Sequence, residues 1–574
     1  MNIKLAMILL LALTLRLPFL HTNPPGFYSD EASFAYNAYS ILKTGKDEYG
    51  RLLPWYFEAF GDYKLPVTTY TISLSFALFG VNNFTARLPT ALYGVLSVYA
   101  LFLLTIQVIK LSQDENKQEM FRHIPYLSAL LLAITPSHTL LSRGVWDIQP
   151  ALAFVILMSW TYLKAIEKMR LNQSKSTLRY FLSSAVFAVL SMYSYNSPRV
   201  VTPLIIIFFT LVFAKTFFAY LTTKEKLLSK VASILTPVAL GMILLFPQII
   251  SISQPVITQR AKYVSVFHHG LVPALLNETY TKRQGKPVWQ TRLIHNKYTY
   301  YGRIIASNYI SQFTPQFLFL TGDTHEIFKT TQTGFLLIAS APFLFIGIIY
   351  AVTKRVPGWW LLLGWLFITP IPSALTIFVP SMSRALNMVI PLTVFTAYGI
   401  QISHQYLKNC LASFSFLHPL SSNSYYLSFI FYLIFSINLY YFLYNYFIQT
   451  PISTAHIWES GFQEMVKYVY SEKNNYDRVI VSSAQAPSYI WFAWYGRLDP
   501  QTVWSTRQTD FTPDSNGLNT TSTLDGIDFS KNIKEDCQKS QAQSKTLCVG
   551  FAKEFEGEKI IQASNGVPKF VIDL

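Results

Sequence analysis

The feature that most constrains the fold is a series of long apolar runs. A bilayer core of about 30 Å requires about 20 mostly apolar residues of helix to cross it. Runs near that length recur at residues 3–20, 88–109, 125–141, 150–166, 180–195, 199–214, 231–250, 334–353, 358–379, 385–403 and 425–448. The chain is only 13% charged, whereas soluble proteins carry about 25% charged residues. The sequence therefore predicts an all-α polytopic membrane protein with about 11 spans plus interfacial helices.

The connectors between the runs predict their orientation. Four connectors contain clustered Lys and Arg, at 110–124, 164–179, 215–230 and 354–355. Short basic loops are retained in the cytoplasm, so we place all four there together with Lys4. An even number of crossings must then separate Lys4 from the first connector. For that reason the shorter run 65–81 is predicted to lie at the outer interface without crossing.

The same orientation predicts two domains in a multi-pass protein of the cytoplasmic membrane. We expect a transmembrane catalytic domain at residues 1–450, with outer loops at 21–87 and 251–332. A soluble extracytoplasmic α/β domain should follow at residues 451–574. The amino terminus is then cytoplasmic and the carboxy-terminal domain lies outside. Cys537 and Cys548 lie close together in that domain, where an oxidising environment would permit a disulfide.

The net charge of +16 does not indicate nucleic-acid binding. The basic residues cluster between apolar runs, where they orient spans and contact anionic lipids. Membrane lipids are therefore predicted partners, and nucleic acid is not.

Five charged side chains fall at the outer ends of the predicted spans. They are Asp30, Lys64, Asp147, Arg199 and Arg384. No assumption about function was needed to place them on one side. We therefore expect them to converge on one cavity at the outer face.

The acidic pair Asp30 and Glu31 is the first catalytic candidate. An ionised carboxylate near an acceptor hydroxyl can take its proton as a new bond forms. The alternative is a helix N-cap, because acids favour a helix start and the sequence ASFAYNAYSILKTG follows.

Lys64 and the preceding Tyr63, both in GDYKLPVTTY, are substrate-binding candidates. An ammonium there can hold a lipid phosphate, or it can simply reach the headgroups.

Asp147 is the third catalytic candidate, because an acid at membrane depth should face a cavity or a cation. The alternative is an ion pair with Arg143, four residues earlier. Arg143, Arg199 and Arg384 are substrate-binding candidates, since a guanidinium can grip a phosphate with two parallel bonds. For the last two, the alternative is ordinary anchoring at a span end. The grouping GDTHE, with His138 elsewhere, gives only a weak metal signal.

The order of these motifs resembles the GT-C superfamily of polyprenyl-phosphate-dependent glycosyltransferases. The similarity is to the bacterial branch of the protein O-mannosyltransferase family (glycosyltransferase family 39-like), which includes the lipid A aminoarabinose transferases. It rests on YSDEASFAYNAYSILKTG, GDYKLPVTTYTISLSFALFGV, TPSHTLLSRGVWDIQPALAF, YSYNSPRVVTPL, GDTHEIFKTTQTGFLL and SRALNMVIPLTVFTAYG. Two positions depart from the family pattern: Leu65 stands where members usually have Pro, and Ala385 where they often have Tyr.

The resemblance implies an inverting glycosyltransferase that uses a polyprenyl-phosphate-sugar donor. It implies that Asp30 is the base, that Lys64 meets the phosphate and that Asp147 lies near the acceptor or sugar. The implied acceptor is a lipid, a glycan or a protein. No cofactor is required by this scheme, and a divalent metal is left open.

Three other functions remain open from the sequence. A transporter or flippase of a polyprenyl-linked sugar would use the same cations without a base, but such proteins often contain internal repeats, and none is found. A non-catalytic receptor would not need aligned acids. A ligase would move a whole glycan from a diphosphate carrier.

Overall fold

Helices dominate the chain up to residue 453, as the apolar runs predict. The computed structural model describes residues 2–112, 114–222, 227–252, 262–268, 270–282, 287–412, 424–511 and 519–573. The helices of this part are α1 Ile3–Arg16, α2 Ser29–Thr44, α3 Pro66–Phe79, α4 Asn83–Lys110, α5 Glu115–Met120, α6 Ile124–Ile134, α7 Pro136–Leu141, α8 Ile148–Arg170, α9 Ser174–Met192, α10 Pro198–Val212, α11 Ala214–Thr222, α12 Leu227–Ile252, α13 Leu271–Thr281, α14 Val288–Ile294, α15 Lys297–Ser311, α16 Ser340–Thr353, α17 Trp359–Ile368, α18 Ile371–Ala374, α19 Met382–Ala385, α20 Val389–Ala412, α21 Ser424–Tyr444 and α22 Thr450–Ser453.

Several of these helices suit a membrane. Among the described residues, five are long and apolar enough to cross one, and a sixth results if the bent pair α10 and α11 is a single span. The protein thus has a membrane-protein architecture, while the number of about 11 spans stays a prediction. The run 65–81 forms α3, whose 14 residues reach about 21 Å, short of the bilayer core.

Close backbone contact joins α16 to α20 in the core of this helical body. A Cβ added to Gly347 would lie 1.9 Å from the carbonyl oxygen of Phe395, and one added to Gly399 would lie 1.8 Å from that of Phe343. Small residues allow helices to approach this closely, which compensates for the weak driving force between helices in lipid. The central helix α8 is the most enclosed of the apolar helices, with 89% of its apolar window buried.

The carboxy-terminal part contains a mixed sheet with helices, as the α/β prediction requires. Its strands have the order β4-β5-β6-β3-β7-β9-β8, and β3 pairs in parallel with β6 and β7. The elements are α23 Phe462–Glu472, β3 Arg478–Ser482, α24 Tyr489–Tyr495, α25 Pro500–Thr506, β4 Gln508–Asp510, β5 Thr520–Leu524, β6 Ile527–Ser530, α26 Ile533–Gln541, β7 Thr546–Phe551, β8 Lys559–Gln562 and β9 Pro568–Asp573. A disulfide joins Cys537 in α26 to Cys548 in β7.

The sheet domain packs onto the first outer loop, which contains α2 and a two-stranded ribbon, β1 Phe57–Ala59 and β2 Asp62–Lys64. The indole N–H of Trp491 donates to the carbonyl oxygen of Phe27 at 2.8 Å, just before α2. Just past the other end of α2, Glu48 forms a buried ion pair with Arg507 of the sheet domain at 2.9 Å. The sheet domain therefore contacts the chain at both ends of α2, the helix that presents Asp30.

The second predicted outer loop, 251–332, is only partly described. Residues 253–261, 269 and 283–286 lie outside the described residues. The described part contains α13, α14 and α15.

Candidate active site

The ribbon of the first outer loop places Lys64 between two carboxylates. Its Nζ lies 3.3 Å from Oδ1 of Asp30 and 3.0 Å from Oδ2 of Asp62. Asp62 and Lys64 share one face of β2 because side chains alternate along a strand. The turn before β2 uses Gly61 at φ +84, where a Cβ would lie 2.9 Å from Oδ1 of Asn519 in the sheet domain. These charged groups retain access to solvent: the exposed side-chain fractions are 16% for Lys64 and 30% for Asp30.

Glu31, next to Asp30, is entirely enclosed. Its carboxylate accepts two hydrogen bonds from Arg87, at 2.9 and 2.7 Å. It also accepts the backbone N–H of Val145 at 2.8 Å and that of Tyr28 at 3.1 Å, the latter as part of a capping box. Glu31 therefore joins the start of α2 to the segment that leads to Asp147.

Asp147 lies at the N-cap position of α8, within electrostatic reach of the Lys64 pair. Burial raises the pKa of this carboxyl to about 7; Lys64 opposes the shift, while Asp30 and Asp62 add to it. Burial alone would lower the pKa of Lys64, but Asp30, Asp62 and Asp147 together hold it above its ordinary value. The structure therefore brings these four groups into one electrostatic cluster, which we call the Lys64 cluster.

Arg384 approaches the same cluster through Tyr195. The hydroxyl of Tyr195 donates to Oγ of Ser383 at 3.5 Å. Tyr195 also interacts electrostatically with Arg384, Asp147 and Lys64. One guanidinium nitrogen of Arg384 donates to Oγ1 of Thr376 and to a backbone carbonyl, at 3.1 and 3.0 Å.

The GDTHE segment supports the helix that carries Arg384. Asp323 accepts the backbone N–H of Met382 at 2.5 Å and that of His325 at 2.7 Å. Burial raises the pKa of Asp323, and both His325 and Arg384 oppose that shift. No group of three His, Cys, Asp or Glu side chains in the described part of the chain could hold a metal ion.

Arg199 lies beside the first outer loop but is not paired with the acids of the cluster. Its Nη2 donates to the hydroxyl of Tyr56 at 3.1 Å, and its guanidinium lies 5.7 Å from the centre of that ring. Its Nε is buried and lacks a hydrogen-bond partner within the described residues. The phosphate-contact role of Arg199 stays a prediction.

The structure places Tyr63 and Arg143 away from the Lys64 cluster. Tyr63 points from the other face of β2, and its hydroxyl donates to Glu58 at 3.2 Å. Arg143 is buried and donates to four backbone carbonyls of residues 15–23 and to the hydroxyl of Tyr446. Within the described residues no ion pair joins Arg143 to Asp147, because all three guanidinium nitrogens of Arg143 bind other partners.

Two residues of the site have no role in the sequence interpretation. Asp62 forms an ion pair with Lys64, which also pairs with Asp30. Side chains alternate along a strand, so the position of Asp62 two residues before Lys64 and next to the Gly61 turn would have indicated that both point the same way. Arg87 forms the ion pair with Glu31, and its signal in the sequence was a lone cation immediately before the apolar run 88–109. A charge at such a position usually has a partner.

Comparisons with known proteins find one similar family and similar solved structures. Residues 64–251 match the family model described as dolichyl-phosphate-mannose-protein mannosyltransferase. The fold is similar to that of ArnT from Cupriavidus metallidurans in the apo state, with a TM-score of 0.51 and 11% identity over 100% of this chain and 97% of that one. ArnT bound to undecaprenyl phosphate also has a TM-score of 0.51, with 10% identity over 99% of this chain and 98% of that one.

The oligosaccharyltransferase AglB from Archaeoglobus fulgidus, in complex with an inhibitory peptide and a dolichol-phosphate, gives a TM-score of 0.48 with 14% identity over 86% of this chain and 63% of that one. No curated protein matches the sequence. The resemblance to the GT-C glycosyltransferases is confirmed by the family match and the shared ArnT fold.

Proposed function

We propose that the protein is an inverting membrane glycosyltransferase that moves a sugar from a polyprenyl-phosphate donor to an acceptor hydroxyl. The observation that carries the proposal is the Lys64 cluster, in which segments far apart in sequence bring one cation together with Asp30, Asp62 and Asp147. The family match over residues 64–251 and the ArnT fold support a glycosyltransferase. ArnT has been seen with undecaprenyl phosphate bound, which supports the lipid class.

In the proposed reaction, Asp30 is the general base. The acceptor oxygen attacks the anomeric carbon from the side opposite the phosphate, and its proton passes to the Asp30 carboxylate. The bond between the anomeric carbon and the phosphate oxygen breaks, and its electron pair leaves with the polyprenyl phosphate. This leaving group is already good, so the site needs cations around it rather than a carboxylic acid that donates a proton.

Lys64 and Arg384 supply those cations, with Arg199 as a further phosphate contact. Lys64 shares its charge between two carboxylates, so an incoming phosphate exchanges with one of them. Asp147, with a pKa of about 7, spends part of its time protonated at neutral pH. A protonated Asp147 donates a hydrogen bond to the sugar or acceptor without repelling the phosphate.

Glu31, Arg143 and Tyr63 act as positioning residues in this proposal. Every oxygen of Glu31 and every nitrogen of the Arg143 guanidinium already binds protein. Tyr63 fixes the ribbon through Glu58. None of these three needs to touch the substrate.

We place the reaction at the outer face of the cytoplasmic membrane, with a cytoplasmic amino terminus, an extracytoplasmic sheet domain, and a lipid, glycan or protein as acceptor. The donor's tail lies in the bilayer, so a site at the ends of apolar helices meets its headgroup. The scheme requires no cofactor and leaves a divalent metal open.

The test uses the full-length protein in vesicles with a panel of labelled undecaprenyl-phosphate sugars and candidate acceptors. We expect label to move to an acceptor with inverted anomeric configuration and undecaprenyl phosphate to be released. If the label crosses the membrane while it stays on the lipid, the protein is a transporter and the proposal is wrong. That alternative is not favoured, because the family match and the shared fold point to transferases.

A further inference from the structure

A cavity lies away from the Lys64 cluster, on the side predicted to be cytoplasmic. It has a volume of about 940 Å³ and is bordered by α1, α5, α6, α20 and α21. Its size suits a lipid-sized ligand, since ligand cavities commonly measure about 300–1,000 Å³. None of the residues given a role in transfer lines it.

The walls of the cavity change character from one end to the other. Lys4 begins α1, and Arg122 and His123 lie immediately before α6, so these basic groups share one end. Beyond them the lining becomes apolar: Leu11 lies seven residues further along α1, about 10 Å by helical rise, and Ile134 ends α6. This gradient matches a molecule with a charged head and an apolar tail.

The basic end has more positive than negative charge. The pKa of His123 is lowered by burial and further by Arg122 and Lys4, so these three groups lie within electrostatic reach of one another. Glu119 lines the same end, but it already forms an exposed ion pair with Arg122. His123 is therefore largely neutral near pH 7, and the positive charge of this end comes from Lys4 and Arg122, against one carboxylate, Glu119. An excess of cations at a predicted cytoplasmic face favours a bound anion.

Gln401 closes the wall of the cavity beside α5. Its side-chain amide N–H donates to the carbonyl oxygen of Met120, while its Oε1 is buried and out of reach of a bound headgroup. The cations Lys4 and Arg122 are therefore the groups that would recognise a phosphate at this end.

We propose that this cavity binds an anionic phospholipid. Its phosphate lies between Lys4, Arg122 and His123, and one acyl chain runs along Leu127, Leu131 and Phe435. Basic pockets between helices at the cytoplasmic face are typical sites for anionic headgroups. The proposal is independent of the proposed transferase activity.

The test measures lipid binding to the full-length protein in detergent, by native mass spectrometry and by the shift in Tm on lipid addition. We expect phosphatidylglycerol to be retained and to raise Tm, and phosphatidylcholine and inorganic phosphate to do neither. The double variant Lys4→Gln, Arg122→Gln should bind phosphatidylglycerol about ten- to thirtyfold more weakly. The matched control Lys175→Gln, Arg179→Gln removes two exposed basic residues elsewhere on the predicted cytoplasmic face and should keep wild-type binding.

A third variant, Leu127→Trp, narrows the apolar wall without a change of charge and should also reduce retention. Size-exclusion profiles identify variants that fail to fold. Equal retention of phosphatidylcholine, wild-type binding by the double variant, or preferential displacement by undecaprenyl phosphate would each overturn the proposal. So would a dimer that persists in lipid and disappears in Leu127→Trp, because a second copy of the chain would then fill the cavity.

Discussion

Two adjacent carboxylates in α2 form two very different ion pairs. The Glu31–Arg87 pair is fully buried, and its partners satisfy both carboxylate oxygens. The Asp30–Lys64 pair is partly exposed and longer, at 3.3 Å, and its lysine is shared with Asp62. A saturated pair has no atom left for a substrate, whereas a shared and accessible pair can exchange partners. The first pair therefore supports the fold, and we propose that the second pair takes part in the reaction.

Replacement of the exposed acid should have the largest effect on activity. We expect Asp30→Asn to lower the transfer rate about 10²–10⁴-fold, because a general base typically contributes that factor. The Tm should change little, since the pair is partly exposed and Asn has nearly the same shape. Activity within tenfold of wild type in the vesicle assay would remove Asp30 from the role of base. Glu464→Gln, an exposed change in the sheet domain, serves as the control.

Replacement of the buried acid should act on folding instead. Glu31→Gln leaves Arg87 buried without its charge partner, which costs about 3–5 kcal/mol in comparable pairs. We expect the free energy of unfolding in detergent to fall by that amount, and a double variant with Arg87→Met to recover part of it. Glu115→Gln, a change of the same type at an exposed site, should have no effect. An unchanged unfolding curve for Glu31→Gln would contradict the supporting role.

Loss of the shared cation should weaken donor binding more than the chemical step. Lys64→Gln removes a charge-assisted contact worth about 1.5–3 kcal/mol, so we expect KM for the donor to rise roughly ten- to a hundredfold. Steady-state kinetics with varied donor concentration separate this from an effect on kcat. Wild-type values of both KM and kcat would place Lys64 outside the phosphate site, whereas a fall in kcat alone would mean that Lys64 contacts the phosphate only as charge develops on it.

The smallest effect should come from titration of Asp147. Its pKa is raised to about 7, so the carboxyl is mostly protonated below that pH and ionised above it. The ionised form adds a negative charge beside the phosphate, so we expect donor KM to rise severalfold between pH about 6 and about 8. Asp147→Asn mimics the protonated form and should give a flat profile across that range. A wild-type profile without this rise would contradict the proposed role.

Much of the helical body could be predicted from sequence. So could the membership of Asp30, Lys64 and Asp147 in one charged cluster. Apolar length identifies helices such as α4 and α8, because the requirement for satisfied backbone groups in lipid leaves few other choices. The sequence also predicts an α/β domain at residues 451–574, and a mixed sheet with helices is present there. The number of spans and the side on which α3 lies stay predictions, because a 14-residue apolar helix is compatible with more than one placement.

The sequence determined that acids and cations would stand at the ends of apolar helices, because charge is excluded from lipid whatever the packing. Only the tertiary structure decided which of them are available. Arg143 and Arg384 have the same chemistry and similar sequence settings, yet Arg143 is saturated by backbone carbonyls while Arg384 stands near Tyr195 and the Lys64 cluster. The availability of a charged group depends on partners distant in the chain, and one-dimensional patterns do not encode those contacts.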